Sequence, residues 1–205
     1  MSLKTLSLAA ICAVIFNFVY RIIATFMPGF FENFGVAVTS KFLSIVALAI
    51  IVLFFISFRE HFKEDSRFST AALFGIVGSA TVVLPRVLTF LGLILESTRL
   101  SCIGYLESTL LLMGSIVILV FYVIVYREFA SRDMGVMKKA SFLALLGSIF
   151  STIIIAATAF NLYSNGAVIE WIFPIKSYIV ILLIAMQLFS SGVLINFFAK
   201  IRAVG

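Results

Sequence analysis

Arg86 and Glu107 are the residues whose types and positions best suit chemistry in this chain, because each interrupts a long apolar run where its charge is expensive. Arg86 lies within Thr70–Leu95 and Glu107 within Cys102–Tyr126. An ionised group in hydrocarbon costs several kcal/mol unless it is paired or faces a cavity. At a helical rise of about 1.5 Å per residue, Arg86 and Arg21 each fall roughly 25 Å from the charged-loop end of their segments, and Glu107 roughly 28 Å. A guanidinium at that level reaches the carboxylate. One pair satisfies Arg86 and Glu107, and the second guanidinium, Arg21, then needs Glu96, a backbone carbonyl, water or an anionic ligand.

The same residues also admit a purely structural account. Arginines in the outer third of a bilayer snorkel to headgroups. Glu107 sits about one turn inside its expected helix start, where a carboxylate is favoured by the positive end of the helix dipole. Asn17 and Gln187 lie nearer mid-depth, where amides bridge helices at roughly 0.6 kcal/mol per hydrogen bond. Their simplest role is packing.

Other chemistry lacks its parts. The only histidine, His61, stands in a charged loop, which leaves haem, copper and histidine-dependent hydrolysis without a ligand or base inside the apolar runs. Aspartate is missing from every run, as are H-E-x-x-H, a phosphate-binding loop and a potassium-filter sequence. Cys12 and Cys102 have no metal or redox spacing. Neither catalysis, a metal nor a cofactor is expected.

The elements that position these residues follow from composition. Of 205 residues, 63% are hydrophobic and 12% charged, with a mean hydropathy of +1.23. A soluble domain is roughly 45–50% apolar and 25% charged. The apolar runs are continuous, which selects membrane helices over a barrel. Six are expected: Leu6–Met27, Phe42–Phe58, Thr70–Leu95, Cys102–Tyr126, Ala140–Leu162 and Ser177–Phe198. The first follows a lone Lys4 and has no small-residue cleavage site, so it reads as a retained helix. The Phe-rich stretch Phe30–Ser40 suits an interfacial segment. The fold class is therefore all-α: a polytopic bundle of six transmembrane helices forming a single domain over residues 1–205.

A weak repeat runs through the chain. Phe58-Arg59-Glu60 recurs as Tyr126-Arg127-Glu128, and Arg21-Ile-Ile-Ala-Thr-Phe26 resembles Arg86-Val-Leu-Thr-Phe90. Three two-helix hairpins would produce this spacing. Stripes of small residues (Gly75, Gly78 and Ser79; Ala140, Ala144, Gly147, Ser148 and Ser151; Ser190, Ser191 and Gly192) let backbones approach closely. Pro85 is expected to loosen the third helix beside Arg86.

The net charge of +6 sits in short loops, which speaks for membrane orientation and not for nucleic acid as a partner. Lys4, Arg59, Lys63, Arg67, Arg127, Arg132, Lys138, Lys139, Lys200 and Arg202 fall on one side, and Lys41, Arg99 and Lys176 on the other. By the positive-inside rule both termini are cytoplasmic. Few buried polar groups point first to a non-catalytic membrane subunit or scaffold, contacting partner membrane proteins or further copies of itself through its helices. The alternative is a small transporter or channel for an anionic or polar solute, with a site at Arg21, Arg86, Glu107 and Glu96. A membrane sensor signalling through its loops is the third reading.

Overall fold

Ser2 and Asn33 each fold a side-chain oxygen onto the backbone amide three residues on, Thr5 and Val36, at 3.3 Å. Both are N-caps that satisfy an orphan donor. In the computed structural model, which describes residues 2–94, 100–163 and 176–204, these caps start α1 (Leu3–Phe26) and α2 (Phe34–His61). A short 3₁₀ turn, Pro28–Phe31, joins them. There follow α3 (Ser66–Ile94), α4 (Leu100–Ser131), α5 (Gly135–Tyr163) and α6 (Lys176–Val204).

The helices overrun the apolar segments that announce them. The second begins at Phe34, not Phe42. Most of the stretch expected to lie along the interface is thus its first turns, capped by Asn33. The charged loops shrink for the same reason. Residues 62–65 connect α2 to α3, and residues 132–134 connect α4 to α5. Helix α3 continues through Pro85 without a break.

The α4–α5 turn is a Schellman ending. The amide of Met134 donates to the Phe129 carbonyl at 3.2 Å and that of Asp133 to Ala130 at 3.4 Å, with Asp133 in the left-handed region at φ 54°. These bonds satisfy carbonyls the helix end would otherwise orphan. Asp65 caps α3 from the other connection, accepting from the amides of Arg67 at 3.1 Å and Phe68 at 3.3 Å. Arg132 ties the two turns together. It pairs with Asp65 and with Glu128 at 2.7 Å, while Arg67 reaches Glu128 at 3.1 Å. Its guanidinium also lies 5.1 Å from the Phe68 ring centroid. Partial burial works against the Asp65 charge, but the hydrogen bonds from Arg132 and the two amides prevail and hold its carboxyl below the usual range.

Each helix packs on its sequence neighbours, and α6 closes on α1. The result is an up-and-down ring of six. Its core is concentrated at the face carrying the termini, where Leu3 and Leu6 meet Phe54, Phe58, Phe68, Phe121, Phe129, Phe197 and Ile201. Outside the ring, large apolar side chains such as Val77, Met113, Phe160 and Ile181 stay exposed. All six helices are long and apolar enough to cross a membrane. This is the build of an integral, multi-pass membrane protein.

The small residues form seams within the chain. A Cβ on Gly78 would lie 2.8 Å from the Gly114 carbonyl oxygen, and one on Gly114 would lie 2.7 Å from that of Gly78. Backbone has nowhere to retreat at such a crossing. Gly78→Ala is accordingly expected to cost about 1–3 kcal/mol through overpacking, read by equilibrium unfolding in mixed micelles. Gly192→Ala, with open space around it, is the matched control and should cost little. The aligned tripeptides of the repeat have different surroundings: Glu60 is exposed, whereas Glu128 is buried in the ion network.

Candidate functional site

Above the aromatic floor the ring does not fill. A helix ring with one side chain per turn aimed at its axis closes only where those side chains are large, and here the buried phenylalanine cluster is concentrated in the termini-face half. Further along, the inward positions are Asn17 on α1, Ser44 on α2, Ser115 on α4, Ser151 on α5, and Gln187 and Ser190 on α6. They surround a cavity of about 250 Å³ to which all six helices contribute. Phe55, Tyr122 and Phe198 form its floor, and Tyr20 and Arg86 bound its far end. From Phe55 to Ser44 the axial height is roughly 16 Å.

Polar groups in the lining are tied into the helix seams. Asn17 donates to the Ala13 carbonyl at 3.1 Å and accepts from Ser44 at 3.3 Å, joining α1 to α2. Ser190 donates to the Gly147 carbonyl at 2.8 Å and is 2.6 Å from Ser151, so Ser151 is the donor to Ser190. Ser115 and Thr152 donate to their own helices. With these protons committed, the hydroxyl oxygens offer acceptor lone pairs to the cavity. The remaining walls are apolar, with Phe18, Leu48, Ile51, Leu111 and Leu194 among them.

At the far end the two expected charges meet. Arg86 Nη1 lies 2.7 Å from Glu107 Oε1, with the two side chains 34% and 18% exposed. The other carboxylate oxygen accepts from Thr89 at 2.8 Å, and Thr89 also bonds the Pro85 carbonyl. Both oxygens of Glu107 are thereby engaged, across the α3–α4 seam. Arg86 lines the cavity and keeps a third of its side chain exposed.

The structure thus brings Arg86 to Glu107, as the helical rise suggested, and puts Asn17 and Gln187, expected as packing residues, on one cavity. The Arg21 side chain and Glu96 lie outside the described residues. Lys41 is the residue that reasoning missed. Assigned to a loop by the late helix start, it stands on α2, half-buried, in electrostatic reach of Glu107 and Arg86. It lines a niche of about 10 Å³ with Tyr20, Ser44, Arg86 and Thr89. The signal was present in the spacing. Lys41, Ser44, Leu48, Ile51 and Phe55 recur at intervals of three and four, one face of a helix, and four of the five line the main cavity.

Among the described residues no three His, Cys, Asp or Glu side chains gather as metal ligands. No protein-family model, curated protein or solved structure matches this chain.

Proposed function

We propose that this protein is a small-solute carrier or channel whose binding site is the central cavity. The observation that carries this reading is the cavity itself: all six helices line it, polar groups recur through its walls, and an ion pair stands at one end. A scaffold acting only through its outer surface has no use for a hollow axis, since packing at native density leaves few voids larger than water. The volume falls just under the roughly 300–1,000 Å³ of drug-sized ligand pockets, which suits a small solute.

The positive-inside count puts the termini and the aromatic floor on the cytoplasmic side. The cavity then faces the extracytoplasmic side through the end marked by Arg86. Helix termini, short connections and a packed floor against a looser far half suit alternating access, with the phenylalanine cluster as the inner closure. Contact with other membrane proteins is compatible with this role, because the lipid-facing surface takes no part in it.

Accessibility tests the reading. In a variant with Cys12 and Cys102 replaced by serine, the thiol introduced by Ser151→Cys should react with a membrane-impermeant thiol reagent added to the extracytoplasmic face of intact cells. Filling the cavity with Ser190→Leu should slow that reaction at least tenfold. A thiol at this position that stays unmodified from both faces would mean a sealed interior and no solute site.

A further inference from the structure

Among the described residues Lys41 is a cation with no contact partner: it makes no hydrogen bond and no ion pair, although it is half-buried and within electrostatic reach of the Arg86–Glu107 pair. A lysine withdrawn from water carries a desolvation cost that an ion pair normally offsets. Glu107 acts on it only at a distance, beyond ion-pair contact, and its two carboxylate oxygens bond Arg86 and Thr89. The mouth of the cavity thus holds two positive charges against one negative among the described residues, a surplus of one. Lys41 and Arg86 are the only cationic side chains lining the cavity and its niche among those residues.

We propose that Lys41, with the free edge of Arg86, captures the charged group of a small monoanionic solute whose apolar body extends into the cavity. This rests on the carrier reading above and adds the solute's class. Three features converge on it. The niche holding Lys41 shares Tyr20, Ser44 and Arg86 with the main cavity, so the ammonium stands beside the cavity's far end, next to the Arg86 guanidinium. The walls below are mainly apolar, and the protons of Ser44, Ser115, Ser151, Thr152 and Ser190 are already committed. An anion is therefore poorly served by these hydroxyls and well served by the ammonium and guanidinium at the mouth. The charge surplus among the described residues is one, so a monoanion neutralises them, while a dianion leaves a negative charge and a cation finds repulsion.

Calorimetric titration of the purified protein in nanodiscs tests this with hexanoate, its neutral amide hexanamide, the cation hexylammonium and the dianion adipate at neutral pH. Hexanoate should bind at least tenfold more tightly than each of the others. Lys41→Gln should weaken hexanoate at least tenfold, bringing it near hexanamide, and leave hexanamide unchanged. Lys41→Arg should retain the preference. Equal binding of hexanoate and hexanamide, or a Lys41→Gln variant that still prefers hexanoate, overturns the monoanion assignment and leaves the cavity reading intact. If no probe binds while the Ser151→Cys thiol remains reactive, the assignment again falls alone. If no probe binds and that thiol is unreactive, both fall.

Discussion

Phe58→Ala is expected to destabilise the bundle by about 3–5 kcal/mol, the range for removing a fully buried aromatic side chain. Phe58 has no exposed surface, and its ring centroid lies 4.7 Å from Phe62, 5.6 Å from Phe121 and 6.0 Å from both Phe54 and Phe68. Inside a bilayer the lost energy is mainly dispersion, since lipid tails are as apolar as the core they replace. The cost therefore depends on how tightly this cluster packs. Equilibrium unfolding in mixed micelles measures it, with Phe160→Ala as the control: Phe160 is 65% exposed on the outer surface and should cost little. A functional consequence accompanies the loss. The cluster closes the cavity toward the termini, so joining Phe58→Ala to Ser151→Cys should let the introduced thiol react from that side as well. Equal costs for Phe58 and Phe160 would mean that the floor is as loosely packed as the lipid-facing surface.

Much of this fold is legible in composition, because a chain so apolar has few ways to satisfy its backbone in hydrocarbon except as helices. The six segments and the Arg86–Glu107 pair follow from hydropathy and helical rise alone. What the sequence conceals is which face of each helix looks inward. In a soluble helix the polar face marks the outside, but here both the lipid-facing and the inward-facing surfaces are apolar, and phenylalanine fills both roles. Phe54 is fully buried and Phe42 is half exposed, yet nothing local distinguishes them. Ser151 and Ser190 look like packing residues by type. They are that, bonded to each other across α5 and α6, and they become cavity lining only because the ring closes between α6 and α1. Lys41 was obscured differently, by an apolar count that starts a helix at the first uninterrupted hydrophobic run instead of at the Asn33 cap.

Glu107→Ala supplies the second large effect and separates structure from function at the cavity mouth. It should destabilise the protein by about 2–3 kcal/mol, since it leaves Arg86 without its carboxylate beside a second cation, Lys41. A fully buried pair would cost roughly 3–5 kcal/mol, and the exposed third of Arg86 brings the value down. Arg86→Met alone should also destabilise, by stranding Glu107. Joining Arg86→Met to Glu107→Leu should restore stability to within about 1 kcal/mol of the original, because an apolar pair of similar volume replaces an ion pair at little cost. Unfolding of the two single variants and the double variant measures the coupling directly. If the pair only holds α3 against α4, the double variant keeps every other property of the protein. If the mouth recognises a monoanion, the stable double variant binds hexanoate more weakly for want of the Arg86 guanidinium but still prefers it to hexanamide, since the surplus charge on Lys41 remains. Single variants as stable as the original would instead place both charges in independent contact with water or headgroups, and the paired mouth would have no energetic reality.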